Sequence, residues 1–185
     1  AVAADRRWPA VLVQRLRAAG VVIGDPQIVA VTGWTTDELA HGMDAATLTP
    51  PYDLVTLQIG VNNQYRGRPA DDYREQFAGL LARAIGLAGG HASRVVVVSI
   101  PDWGVTRFAR EQGRDATQVA NELDVYDAIA RAETARAGAH WVDITAISRR
   151  HPDLLADDGL HPSAEQYALW VELIAPVADA ALRQP

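Results

Sequence analysis

The run Arg94-Val95-Val96-Val97-Val98-Ser99-Ile100 constrains the fold more than any other stretch of this chain. Its apolar side chains fall on both faces of an extended backbone, so both faces must be covered. That is the condition of an interior parallel strand with helices packed on either side. At seven residues the run is far too short to span a bilayer. Elsewhere, strand-length apolar runs alternate with longer helical patterns, the order of an α/β fold with a parallel sheet.

Trp8 to Ala19 has helical spacing, with Pro9 tolerated in the first turn and Gly20 closing it. Gln27 to Val31 reads as a short strand, and Thr35 to Asp44 as a helix capped by Thr35 or Thr36. Asp53 to Ile59 is the next expected strand and Asp71 to Leu87 the next helix, closed by Gly89-Gly90. After the valine strand, a loop from Pro101 to Asp115 is long enough to suspect function. Ala116 to Ala137 is a long helix, His140 to Val142 a short strand, and Ser163 to Leu182 a final helix broken or bent near Pro176. A doubly wound sheet that opens on a helix lacks a strand at its front.

Length and composition exclude much. The 185 residues fit one domain, 1–185, and can bury a sizeable core. There is no cysteine, which removes disulfides, zinc–thiolate sites, iron–sulfur clusters and thiol nucleophiles. All 17 cationic side chains are arginine, so a lysine nucleophile, a Schiff base and a P-loop lysine are excluded. The net charge of −6 argues against nucleic acid as partner, because phosphate binding needs a basic face.

Three motifs carry chemistry. In Gly60-Val61-Asn62-Asn63 a strand ends in glycine and an asparagine comes two residues later at the carboxyl edge of the sheet, where open α/β folds bind ligands. The Asn62 amide can donate to a developing oxyanion without carrying charge. The plainer alternative is a turn in which Asn62 and Asn63 bond to nearby backbone. In Asp157-Asp158-Gly159-Leu160-His161-Pro162 an aspartate three residues before a histidine can reach its Nδ1, leaving Nε2 as a base. The alternatives are a loop leading into a helix capped by Ser163, with His161 simply exposed, or a metal site with His151, for which no ligand spacing is recognisable. In Thr32-Gly33-Trp34-Thr35 the glycine lets backbone approach a substrate, or serves turn geometry alone.

Taken together, these motifs resemble the blocks of the SGNH hydrolases, the GDSL-type esterases and lipases, over nearly the whole chain. The resemblance implies a flavodoxin-like three-layer α/β/α sandwich with a parallel sheet. It implies Gly33 and Asn62 as oxyanion donors and Asp158 and His161 as two members of a catalytic triad. Asn63 stands where the family usually has aspartate, a change outside the catalytic set. The larger departure is the absence of the family's first block, Gly-Asp-Ser at the end of the first, central strand. The four serines are Ser93, Ser99, Ser148 and Ser163, and none comes directly after Gly-Asp. Val2 to Pro9 resembles the family's segment just past that block, so the chain is expected to be truncated at its N-terminus, with the nucleophile upstream of Ala1.

The implied activity is serine ester hydrolysis on a small-molecule ester, acetyl or short acyl, with no metal and no organic cofactor. Trp34, Tyr65, Arg66, Trp103 and Phe108 lie in loops at the reactive edge and are candidates to shape the substrate pocket, with packing inside the loops as the alternative for each. A non-catalytic binding or scaffold protein on the same fold is the rival reading. A flavodoxin-like nucleotide binder is disfavoured, since the chain has no phosphate-cradling glycine-rich loop after a strand.

Overall fold

The computed structural model of the protein describes residues 2–183. Among the described residues, eight helices and three strands run in the order α1 Trp8–Ala18, α2 Thr36–Ala45, β1 Val55–Leu57, α3 Val61–Tyr65, α4 Ala70–Leu87, β2 Val95–Val98, α5 Arg107–Glu111, α6 Ala116–Ala137, β3 His140–Val142, α7 Thr145–Arg150 and α8 Ala164–Leu182. The strands form one parallel sheet in the order β1-β2-β3. Val55, Thr56 and Leu57 lie opposite Val95, Val96 and Val97, and Val96, Val97 and Val98 opposite His140, Trp141 and Val142.

The valine strand does what its composition demands. Val95 and Val97 join a core with Leu57, with Tyr73, Phe77, Leu80 and Leu81 of α4, and with Val119 and Leu123 of α6. Val96 and Val98 face the other way, into Leu12 and Leu16 of α1 and Trp170, Val171 and Ile174 of α8. Successive side chains of one strand thus tie two helical layers to the sheet between them. Full burial of each such side chain is worth about 1.5–3 kcal/mol.

Helix ends obey local chemistry. The Thr35 N–H donates to Glu38 Oε2 at 2.8 Å at the start of α2. Asp115 caps α6 by accepting from Thr117 and Gln118 N–H, and Gly138 ends that helix in the left-handed region at φ +75°. Ser163 caps α8, which runs through Pro176 as one helix, so of the expected break or bend there is no break. The long connection after β2 is also more ordered than a loop: it contains a 3₁₀ turn, Trp103–Val105, and then α5.

One expected strand does not form. Gln27–Val31 carries no ladder in this structure, and Ile28 and Val31 are 47% and 58% exposed. The physical reason is pairing: an extended segment becomes a strand only against a neighbour, and no described strand lies beside this one. Among the described strands, β1 is bonded along one edge only, to β2.

Candidate functional site

Two of the motifs, the Gly33 turn and the Gly60–Asn63 block, meet past the carboxyl end of β1 through a short helix that the sequence pattern does not reveal. Gly60, just after β1, has φ +131°, and a Cβ there would lie 2.8 Å from both Ile100 and Tyr73. Only glycine fits this approach. The chain then turns directly into α3, which carries Asn62, Asn63 and Tyr65, with Arg66 at its C-terminal cap.

From α3, side chains clasp the Gly33 turn at successive points. Asn62 Nδ2 donates to Trp34 O at 2.9 Å, and Arg66 Nη2 donates to Gly33 O at 2.7 Å. Buried Asn63 bonds twice to Thr36: its Oδ1 accepts the Thr36 N–H at 3.1 Å, and its Nδ2 donates to Thr36 Oγ1 at 2.7 Å. The Thr36 hydroxyl donates onward to Gln76 Oε1. An asparagine suits position 63 because it both accepts and donates, whereas an ionised aspartate only accepts. Gly33 itself sits at φ +90°. The Asn62 amide has two hydrogens; one is committed to Trp34 O, which sets the plane of the group and the direction of the other.

The Asp157–Pro162 turn is built around its own carboxylate. Asp158 Oδ1 accepts the backbone N–H of Leu160 at 3.0 Å and of His161 at 2.9 Å, and Asp158 Oδ2 lies 2.9 Å from His161 Nδ1. Gly159, at φ +69°, closes the bend. The turn is pinned by Ala156 N–H to His161 O at 2.8 Å and by Ser163 N–H to Leu154 O at 2.9 Å. Burial acts to raise the Asp158 carboxyl, but the two backbone N–H bonds and the imidazole outweigh it and hold it down at about 2. Asp158 is therefore an ionised acceptor at neutral pH. Its bond to Nδ1 places the imidazole proton there and leaves Nε2 as the basic nitrogen. Both side chains remain partly open to solvent.

The aromatic candidates fall into two groups. Trp103 is only 5% exposed, and its Nε1 donates to Gln64 Oε1 at 2.7 Å, so most of its surface packs inside the fold. Trp34 lies across Gly42 of α2, where a Cβ would meet its ring at 2.2 Å. Tyr65 is exposed and edge-on to Trp103 at 5.2 Å, and Phe108 lies 6.5 Å from Trp103. The Arg114 guanidinium rests over both Tyr65 and Trp103. The Arg66 guanidinium is engaged with Gly33 O and Glu38.

Each serine present is occupied structurally or lies away from the motifs. Ser99 Oγ accepts the N–H groups of Ile144 and Thr145, Ser148 Oγ donates to Thr145 O, and Ser163 caps α8. Ser93 lies in the turn before β2, at the opposite end of the strands from the three motifs. Among the described residues no group of three or more His, Asp or Glu side chains is placed to hold a metal ion. No described helix is long and apolar enough to cross a membrane.

Asp127, mid-way along α6, belongs to no motif, yet it is bonded at the sheet edge. Its Oδ1 accepts the Ile100 N–H at 2.9 Å, just past β2, and its Oδ2 the Thr145 hydroxyl at 2.9 Å. Burial pushes this carboxyl up to about 7, against the pull of Ile100 and Thr145 and with help from Asp143 and Asp124. A raised carboxyl contributes stability that is full below about pH 4 and lost as pH rises through about 7. Asp127→Asn is therefore expected to gain on the parent between pH 4 and 8, by on the order of 2–4 kcal/mol at the alkaline end. Asn can still accept from Ile100 and donate to Thr145 Oγ1, which is also within 2.8 Å of Ile100 O as an acceptor for its own proton. Thermal melts of both proteins across that pH range check it; a constant difference in Tm would remove the buried-acid account.

No curated protein matches the chain in sequence. In structure it is similar to TesA, with a TM-score of 0.74 at 15% identity over 97% of this chain and 91% of that one. It is similar to the psychrotrophic esterase EstA from Pseudoalteromonas sp., with a TM-score of 0.69 at 15% identity over 97% and 90%. It is also similar to Axe2-W215I, an acetyl xylan esterase from Geobacillus stearothermophilus, with a TM-score of 0.70 at 17% identity over 93% and 81%. At these identities the likeness establishes the fold. The sequence model of the GDSL-like Lipase/Acylhydrolase family matches residues 1–169, a span that holds all three motifs, and the chain belongs to that family.

Proposed function

We propose that this chain is the greater part of a serine ester hydrolase that cleaves small or medium acyl esters, acetyl esters included. The nucleophilic serine is borne by a Gly-Asp-Ser segment preceding Ala1. His161 Nε2 takes the serine proton as the hydroxyl oxygen attacks the ester carbonyl, and Asp158 stabilises the imidazolium that results. The tetrahedral oxyanion is held by the Gly33 N–H and the second Asn62 Nδ2 hydrogen. The tetrahedral centre collapses, breaking the bond to the alkoxy oxygen, and His161 returns its proton to the leaving alcohol. Water then repeats the sequence on the acyl-enzyme, with no metal or organic cofactor in any step.

The observation that carries this reading is the Asp158–His161 pair. A carboxylate fixed by two backbone N–H bonds and facing Nδ1 is what a general base needs from its third member. The single-edged pairing of β1, together with a Gln27–Val31 segment that joins no ladder and leaves Ile28 and Val31 exposed, supports a further strand carrying the nucleophile. The acetyl xylan esterase among the similar structures is in keeping with an acetyl group on a polyol as substrate.

The test is Asn62→Ala in the serine-bearing protein. Loss of one oxyanion donor is expected to lower kcat on a p-nitrophenyl ester about 10²–10³-fold. The fold should lose only about 1 kcal/mol, for the bond to Trp34 O. An unchanged kcat would return Asn62 to a turn-forming role and remove the proposed oxyanion site.

A further inference from the structure

The connection from β2 to α6 is hydrogen-bonded within itself and reaches the Asp158 turn. Buried Asp102 starts it, accepting Gly104 N–H at 2.9 Å through Oδ1 and Arg149 Nε at 2.8 Å through Oδ2. Thr106 caps α5 by accepting the Ala109 N–H at 3.1 Å, and its hydroxyl donates to Trp103 O at 2.6 Å. From this base, two adjacent residues reach the turn. Phe108 N–H donates to Gly159 O at 3.0 Å, and Arg107 Nη2 donates to Asp157 O at 2.8 Å. The Arg107 guanidinium also covers Gly159 so closely that a Cβ there would lie 2.6 Å from Nε and 2.8 Å from Nη2.

These contacts fall on the residues either side of Asp158. Holding the Asp157 carbonyl fixes the peptide that enters Asp158, and holding Gly159 fixes the residue that leaves it. Arg107 is itself largely exposed, and its ionic partner is Glu111 on the same helix, at 3.8 Å. It lies outside both buried core clusters.

We propose that Arg107 is a positioning residue for the Asp158–His161 pair: by holding the Asp157 carbonyl and covering Gly159 it fixes the turn in the setting where Asp158 Oδ2 meets His161 Nδ1. The catalytic meaning of this proposal rests on the function proposed above. Arginine suits the task because its planar group packs flat on a glycine while its edge donates to a carbonyl. A displacement of about 1 Å in such a pair can cost on the order of 10²-fold in rate.

The experiment reads the pair directly. The His161 Nδ1 proton, held against a carboxylate, is expected to give a deshielded proton resonance in NMR spectra of the protein. In Arg107→Ala this resonance is expected to broaden and its exchange with solvent to rise about tenfold or more, with the cooperative melt retained. In the serine-bearing form the same variant is expected to lose about 10–100-fold in kcat with KM nearly constant. Arg107→Lys, which keeps a donor for Asp157 O but no planar cover for Gly159, should fall between. If the alanine variant does not fold, the lysine variant carries the decision by the same two readouts. An unaltered resonance with an unaltered kcat overturns the proposal. If no form of the protein hydrolyses an ester, the proposed function falls, and the resonance still decides whether Arg107 sets the pair.

Discussion

Asp158→Asn is expected to cut kcat about 10⁴-fold in the serine-bearing protein, and His161→Ala about 10⁶-fold, each with little change in fold. The asparagine variant is the more telling of the two. Its carbonyl oxygen can keep both backbone bonds, from Leu160 and His161 N–H, so the turn is preserved. That leaves its NH₂ facing His161 Nδ1, which must now accept a hydrogen bond. The imidazole proton moves to Nε2, and the histidine can no longer take a proton from a serine. A wrong tautomer in an intact turn thus accounts for the loss, and a cooperative melt beside a dead enzyme would show it. The same bonds give a pH signature. Because the Asp158 carboxyl is held down at about 2, its contribution to stability is full above about pH 4 and is lost as pH falls through 2. The asparagine variant lacks that acid limb. If Asp158→Asn turned over esters at the parent rate, the pair would be an ordinary exposed turn.

Much of this architecture is legible in the sequence, for reasons that also mark where legibility ends. The valine run dictates its own environment, because no arrangement other than two covering layers buries side chains on both faces of a strand. Ala116–Ala137 and His140–Val142 are readable to the residue, since Asp115 and Gly138 mark the helix ends chemically. Gln27–Val31 misleads because strand character is a property of a pair, and composition describes only one partner. The helices α3 and α5 escape notice because five residues make barely more than one turn, too few to show a period. The same blind spot hides the parts played by Arg66 and Arg107, whose hydrogen bonds cross 33 and 50 residues of sequence to reach main-chain carbonyls. A carbonyl has no letter in the sequence, so such contacts leave no pattern to read. Aspartate and histidine three apart do leave one, and Asp158 and His161 are found within hydrogen-bond reach.

The nucleophile is the part that decides between enzyme and inert relative, and its effect is all or nothing. A protein extended upstream to include the Gly-Asp-Ser segment is expected to give a burst on a p-nitrophenyl ester and to take up one fluorophosphonate per chain, at that serine. Residues 1–185 alone are expected to do neither. A catalytic triad acts as a unit, and without its serine only binding and oxyanion stabilisation remain; in the serine proteases these leave about 10³–10⁴ over the uncatalysed rate. Hydrolysis by His161 alone would proceed by general-base attack of water and would pass through no acyl-enzyme. The serines in hand offer no substitute: Ser99 and Ser148 are buried and spent on main-chain groups, Ser163 is a helix cap, and Ser93 stands at the far end of the strands. Stability should change in step with chemistry, because the added strand would pair the free edge of β1 and cover Ile28 and Val31. The extended protein is therefore expected to melt cooperatively and at higher temperature than residues 1–185. Burst kinetics and single labelling in the 185-residue chain would defeat this account and turn the search for a nucleophile back to its own four serines.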